Sequence, residues 1–428
     1  MNSDQDNMDP HFKRRVAELG DSLKIVAKQD IVTASGIKLL SAGSSIDSSM
    51  YEHILKHKLL PLWDQALSIE NPVTPATLIE SAKIICAEQA LFERMHSALP
   101  ESQSLYDVLG EICLNTVFAF KLTVAREKLP DLYNHLVAMA LTCAYLGYKS
   151  NLEHAQVVNL ATAGLFHDLG ELHIDPAILN RNHQLNNAEI RHIYAHPLTL
   201  YLLLKEFPEY PPEIGTAILE HHERLDGSGY PQGISHIGQL SRLLEVAEVA
   251  VSLYRIWGES ELGHLETTFK LNMHQMDTQA ISHLLAVLKP DTDAVNESRQ
   301  IDIDKLRDAL RSMSDYFTSW DKTVAPLLES YRGNKAVSFL TTQIGALKQD
   351  LESAGFYYEK IDQFVKSLEN DSAEAHELQN LTEEFAWRSR DIMHELQRRW
   401  PEIESDADPI ARLLRDWLRQ AGKSKLSA

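Results

Sequence analysis

Two adjacent histidines, His221 and His222, close an apolar helical run (Ile214, Ala217, Ile218) and lead directly into Glu223-Arg224-Leu225-Asp226-Gly227-Ser228-Gly229-Tyr230-Pro231. Imidazoles at the end of a rigid element, followed by glycines that let main chain approach a ligand, suit a metal-dependent site. Upstream, His167-Asp168 stands where another apolar helical run (Val157, Leu160, Ala161, Gly164, Leu165) stops at Gly170. Successive helical side chains diverge by about a quarter-turn or more. An adjacent His-Asp pair therefore serves two neighbouring metals better than one, with Asp168 bridging them through its two oxygens.

Histidine is concentrated around these pairs. Ten of the nineteen histidines fall between positions 135 and 236, a segment holding about a quarter of the 428 residues. The enrichment favours metal or proton-transfer chemistry there. His154, His173, His183, His192 and His236 are expected to be satisfied core residues rather than ligands.

The elements that must position these residues are read from pattern. Leu23–Val26, Asp30–Thr33 and Ile37–Leu40 are β-prone, and Ser35-Gly36 predicts a small hairpin. Ser49 in Ser49-Met50-Tyr51-Glu52 is expected to cap a helix running towards His57. Thr74-Pro75 is a helix start. The apolar stripe that follows, Leu78 to Met95, is interrupted by Gln89. One long helix is expected from about Leu105 to Glu127, and helices continue to about Leu288. Past Pro290, long amphipathic helices are expected over Ile303–Trp320, Lys335–Ser367 and Glu374–Trp400, with a short last one over Ile410–Ala421. The fold class expected is mainly α. It comprises a small α+β module over 1–98, a central all-α domain over 99–293, and a C-terminal helical bundle over 294–428.

Composition limits the function classes. Lys and Arg total 41 against 61 Asp and Glu, a net charge of −20, which argues against binding a nucleic-acid polymer. A small phosphate ligand stays open if metal ions supply positive charge. Cys86, Cys113 and Cys143 form no disulfide framework, and each is expected as a small buried apolar side chain. The N-terminus carries no signal-peptide pattern and no stretch is long and apolar enough to span a bilayer, so a cytoplasmic protein is expected.

The motifs together resemble the HD-GYP family, metal-dependent phosphodiesterases of the HD superfamily that hydrolyse cyclic di-GMP. The resemblance lies in His167-Asp168-x-Gly170 with Ile174 and Ile178-Leu179, in His196-Pro197, and in His221-His222-Glu223-Arg224-x-Asp226-Gly227-x-Gly229-Tyr230-Pro231. It covers roughly residues 100–290 and implies an HD-type central domain. It also implies metal ligands at His135, His167, Asp168, His196, His221, His222 and Glu248. Two divalent ions, iron or manganese best suiting the set, are implied, and Asp131 would add a third. The implied chemistry is two-metal phosphodiester hydrolysis, with Asp168 and Glu171 as catalytic candidates. Arg224, Asp226, Gly227, Gly229, Tyr230 and Arg255 are substrate-binding candidates, although holding the loop is the favoured role for Asp226 and Tyr230.

Three departures bear on activity. Glu171 replaces the family's lysine, Glu248 replaces an aspartate, and Tyr254-Arg255-Ile256-Trp257 stands where an Arg-Pro-Tyr-Arg stretch belongs. A carboxylate for an ammonium removes help for a phosphate transition state. Two readings follow: a phosphodiesterase acting on a cyclic dinucleotide, or a weakened module that binds metal and nucleotide and signals through partners. A related phosphohydrolase with another ester is a third. The C-terminal helices could serve a homodimer or a signalling partner.

Overall fold

The computed structural model describes residues 10–55, 57, 59–60, 63–179, 186–259, 262–288, 301–325, 333–368, 373–400, 412, 414 and 417. The calls on residues 1–9, His183, the turn at Pro290 and residues 401–409 lie outside that set, as does most of the expected helix over 410–421. Contacts divide the chain into two compact units, Met1–Arg255 with Ser282–Val287, and Ile256–Ile281 with Leu288–Ala428. The chain is mainly helical, with its strands confined to residues 25–69 among those described. No described helix is long and apolar enough to cross a membrane.

In the first unit, helix α1 (Pro10–Gly20) precedes two small antiparallel sheets. Strand β1 (Ile25–Ala27) pairs with β5 (Leu67–Ile69), and β2 (Ile31–Thr33) lies between β3 (Lys38–Leu40) and β4 (Leu59–Leu60). The expected hairpin is the β2–β3 pair, with Ile31 opposite Leu40. Between the strands lie α2 (Tyr51–Leu55) and α3 (Trp63–Ala66). The cap before α2 is Asp47 rather than Ser49. Its carboxylate accepts from Ser49 N and closes a 3-10 turn ahead of the helix.

The apolar segments then stack as helices. Thr74 and Thr77 form a reciprocal cap on α4 (Pro75–Glu88), a motif worth about 1 kcal/mol. Gln89 takes an extended conformation, and α5 (Ala90–Ser97) starts afresh after it. The single helix expected over Leu105–Glu127 is two, α6 (Leu105–Glu111) and α7 (Thr116–Lys128). Asn115 separates them because its side chain caps α7 through Val117 N and Phe118 N, and a cap residue cannot be helical. That link leaves Cys113 exposed, contrary to expectation, while Cys86 and Cys143 are buried.

Helix α8 (Pro130–Lys149) is buried almost all round and forms the centre of the unit. Against it lie α4, α5, α6, α7 and α9 (His154–Phe166). Helix α12 (Pro212–Glu220) packs on α9 and on α11 (His196–Leu204), α10 (Asn187–Ile193) precedes α11, and α13 (Gln239–Trp257) follows α12 in the chain.

The second unit contains α14 (Leu262–Leu271) and α16 (Ile303–Ser319), whereas Ser282–Val287 of the intervening α15 (Thr278–Leu288) group with the first unit. The helix expected over Lys335–Ser367 breaks at Gly355, where φ is 86°. It becomes α17 (Lys335–Ser353) and α18 (Ile361–Ser367), followed by α19 (Ala373–Arg399). Leu310, Met313, Phe317, Leu340, Ile344 and Phe385 fill the core. Buried Glu384 is satisfied by Thr268 Oγ1 at 2.8 Å and Asn272 Nδ2 at 2.7 Å. Asp321 accepts from Tyr358 Oη at 2.6 Å and from Lys348 Nζ at 2.9 Å.

Candidate metal centre

Each ligand candidate stands on or at the end of a packed helix. His135 comes from the middle of buried α8, and His167 and Asp168 follow the last residue of α9. His196 opens α11 beside Pro197, His221 and His222 follow α12, and Glu248 lies in α13. Helix ends place adjacent side chains in one cavity without distorting a regular element.

These residues form two groups that share Asp168. Asp168, His196, His221 and His222 make one, and His135, His167, Asp168 and Glu248 make the other. Within each group the candidate donor atoms lie within 4.8 Å of one another. Asp168 Oδ1 is 3.1 Å from His196 Nε2 and 3.7 Å from His221 Nε2. Its other oxygen, Oδ2, is 3.2 Å from His167 Nε2 and 3.7 Å from His135 Nε2. One oxygen faces each group. Glu248 Oε2 lies 3.1 Å from His167 Nε2 and 3.2 Å from His135 Nε2, so the longer side chain reaches the second group.

The imidazoles are oriented from behind. His167 Nδ1 bonds Gly164 O at 2.8 Å, His196 Nδ1 bonds Ile193 O at 2.7 Å, and His221 Nδ1 bonds Ile218 O at 2.6 Å. A main-chain carbonyl can only accept, so each Nδ1 carries a proton, and a ring in its neutral, metal-binding form aims its Nε2 lone pair inward. The result sets Nε2 against Nε2, 3.3 Å apart for His135 and His167 and 3.4 Å for His196 and His221. Lone pairs held face to face in this way, beside a buried Asp168 Oδ1 with no hydrogen bond, fit a cation between them. The donor set therefore fits divalent metal.

Electrostatics separate the rings. Burial, then the neighbouring His167 and His196, pushes His221 down to about 3. Burial and His221 likewise hold His222 far below the usual histidine value. For His167, burial favours the neutral ring, but the Asp168 and Glu248 carboxylates outweigh it and raise the ring well above that value.

The loop after α12 is organised by a residue to which the sequence assigned no role. Glu223 is fully buried, and its carboxylate accepts from the main-chain N–H groups of Gln232 (2.6 Å), Gly233 (3.1 Å) and Ile234 (3.0 Å). An acid directly after paired ligands and ahead of a glycine-rich turn was the available signal. Arg224 Nη1 donates to Glu245 Oε1 at 2.6 Å. Asp226 accepts from Ser228 N at 2.9 Å, and Gly227 has φ of 74°. A Cβ on Gly229 would lie 2.2 Å from His222 O, so only glycine fits. Tyr230 donates its N–H to His222 O and stacks on Tyr194 at 3.7 Å and on His222 at 4.5 Å. These contacts hold the loop against the paired histidines.

Beside the His135 group opens a cavity of about 940 Å³, lined by Lys128, Asp131, Asn134, His135, Glu171 and Arg255 among others. None of Arg224, Asp226, Gly227, Gly229 and Tyr230 lines it, whereas Arg255 does. Asp131 stands exposed in its wall and belongs to neither metal-ligating group. Burial, then the Asp168 carboxylate, pushes Glu171 up to about 7. Lys128 and Asn134 are further residues that the sequence left unassigned. Their signal was position: Asn134 lies one helical turn after Asp131, and Lys128 ends α7 three residues before it.

Of the histidines expected in the core, His154, His192 and His236 are instead exposed, because they lie at helix ends or in a loop, and half-buried His173 packs on Phe12. None of the four belongs to either group.

Residues 122–258 match the HD domain. The chain is 30% identical over 190 residues to a cyclic di-GMP phosphodiesterase of Pseudomonas aeruginosa, covering 43% of this chain and 46% of that protein. It is 30% identical over 168 residues to a 3'3'-cGAMP-specific phosphodiesterase of Vibrio cholerae, covering 38% of each. A cyclic di-GMP phosphodiesterase response regulator of Xanthomonas campestris is 30% identical over 119 residues, 27% of this chain and 31% of that one. The chain thus spans less than half the length of these relatives. No solved structure matches it.

Proposed function

We propose that this HD domain hydrolyses a phosphodiester bond of a cyclic dinucleotide, cyclic di-GMP or a related molecule, at a two-metal site. The placement of Asp168 carries the reading: one carboxylate oxygen faces each histidine group, the posture of a bridging ligand. Relatives named as cyclic dinucleotide phosphodiesterases support the substrate class.

In this mechanism His196, His221 and His222 would hold one ion, His135, His167 and Glu248 the other, and Asp168 would serve both. Iron or manganese suits such mixed imidazole and carboxylate donors. Two such ions would supply positive charge for phosphoryl oxygens and activate water. Lys128 and Arg255 have no ion pair among the described residues, so both are available to substrate phosphates across the cavity. Glu171, pushed up to about 7, holds a proton on part of the molecules at neutral pH and can donate to a phosphate oxygen. Asp131 is left for a third ion or for the first-turn charge of α8. The setting of this activity is the cytoplasm, with the C-terminal helices available to a second copy or a signalling partner.

Purified protein loaded with manganese or iron, mixed separately with cyclic di-GMP and 3'3'-cGAMP, tests the reading by chromatography of products. Linear dinucleotide or mononucleotide is expected. Intact metal binding with no product from either would favour the second reading, a weakened metal- and nucleotide-binding module, which Glu171 in place of lysine supports.

A further inference from the structure

Helix α1 lies outside the matched residues 122–258, yet its side chains grip the turn that follows His167-Asp168. Arg15, 5% exposed, donates from Nη1 to Leu172 O and from Nη2 to Ile174 O at 3.2 Å. Both carbonyls belong to the end of the 3-10 turn Leu169–His173 and its exit. Phe12 of the same helix stacks on His173 with centroids 5.0 Å apart. Lys121 of α7 completes the contact, its Nζ 2.9 Å from His173 Nε2 and 4.0 Å from the Phe12 centroid. A buried guanidinium is costly unless bonded, so this turn is where Arg15 has its stable place.

The other side of the turn abuts the metal centre. Asp168 is the residue immediately before it, and Glu171 within it lines the cavity. A Cβ on Gly170 would lie 2.6 Å from His196 O and 3.0 Å from His196 Cβ. The turn is thus wedged between α1 and the first residue of α11. Any displacement at its Arg15 side is passed to Asp168 and to His196, because packed interiors have no slack to absorb it.

We propose that Arg15 is a positioning residue for the metal centre, fixing the separation of Asp168 and His196 through the Leu169–His173 turn. The N-terminal segment then controls whether the Asp168–His196–His221–His222 group can hold its ion, and changes in α1 are a route by which that segment sets activity. The proposal rests on the reading that both groups hold metal.

Manganese titration of the full chain tests it, with ion stoichiometry measured by elemental analysis and pairing of the two ions by electron paramagnetic resonance. In the wild type two manganese ions per chain and the signal of a coupled pair are expected. Arg15→Ala should keep one ion, weaken the second at least tenfold and lose the coupled signal. His196→Ala should do the same, and the double variant should lose little more, as expected for residues acting on one site. Arg15→Lys, which keeps the charge but not the two-pronged donation, should weaken the second ion less. If Arg15→Ala does not fold, Arg15→Lys decides. Two ions bound at wild-type affinity with an intact coupled signal in the folded variant overturn the proposal, whatever happens to its unfolding temperature. A wild type that binds fewer than two ions overturns the two-metal reading and this proposal together.

Discussion

Arg224 Nη1 lies 2.6 Å from Glu245 Oε1, joining the loop after the paired histidines to the helix that carries Glu248. Glu245 is 1% exposed, so its charge needs partners, and Arg224 is one of them. Arg224→Ala removes a guanidinium from a buried carboxylate, a destabilising change. The expected outcome is a lowered thermal midpoint. Replacing both residues together, Arg224→Met with Glu245→Leu, should recover much of the loss, because no charge is then buried unpaired. A thermal melt of the three variants checks this.

Ion content separates the roles of the ligands. Asp168→Asn removes a charge from both groups and should release both ions. His135→Ala leaves Asp168, His196, His221 and His222 together and should retain about half the metal. Elemental analysis after dialysis gives the count. Equal metal content in the two variants would reject the division into two groups.

Glu223→Ala leaves the N–H groups of Gln232, Gly233 and Ile234 without their acceptor. Losing hydrogen bonds to a charged group costs about 1.5–3 kcal/mol each, less when lost together. Those three amides should exchange hydrogen much faster in the variant than in the wild type, while amides in the middle of α8 change little. Unchanged exchange at Gln232–Ile234 would show that another group holds the loop.

The acid limb of the second unit's stability should carry the signature of Asp321. Burial pushes its carboxyl up, but the Tyr358 hydroxyl and the Lys348 ammonium outweigh burial and hold it below the usual carboxylate value. A depressed folded value means stability that is present above the unfolded value of about 3.9 and is lost as pH falls through the lower folded value. Asp321→Asn should therefore be less stable than the wild type at pH 6, and the two unfolding curves should converge as pH falls through the depressed folded value of Asp321. Denaturant midpoints from pH 6 to pH 2 provide the comparison.

The histidine groups were legible because ligand chemistry demands particular side chains at particular helix ends. His167-Asp168 and His221-His222 announce themselves by adjacency, and the family resemblance placed His135, His196 and Glu248. Helix existence was equally readable from apolar spacing, as along Leu78 to Met95. Boundaries were less so. The breaks at Asn115 and Gly355 come from single residues, and an apolar stripe on either side of a cap looks continuous. Long-range partners left no local trace. Arg15 finds its acceptors 157 and 159 residues away, at main-chain carbonyls that any residue supplies. Arg224 looked like a substrate contact from its place in the motif, whereas its partner lies one helix further along.

Asp168 serves two groups with one side chain, so two ions held there would share a component and be thermodynamically linked. Whatever the first ion did to the orientation of that carboxylate would change the affinity for the second, and by reciprocity the second would change the first by the same factor. Neither position would then titrate independently of the other, and the occupancy of each would depend on the supply of both ions.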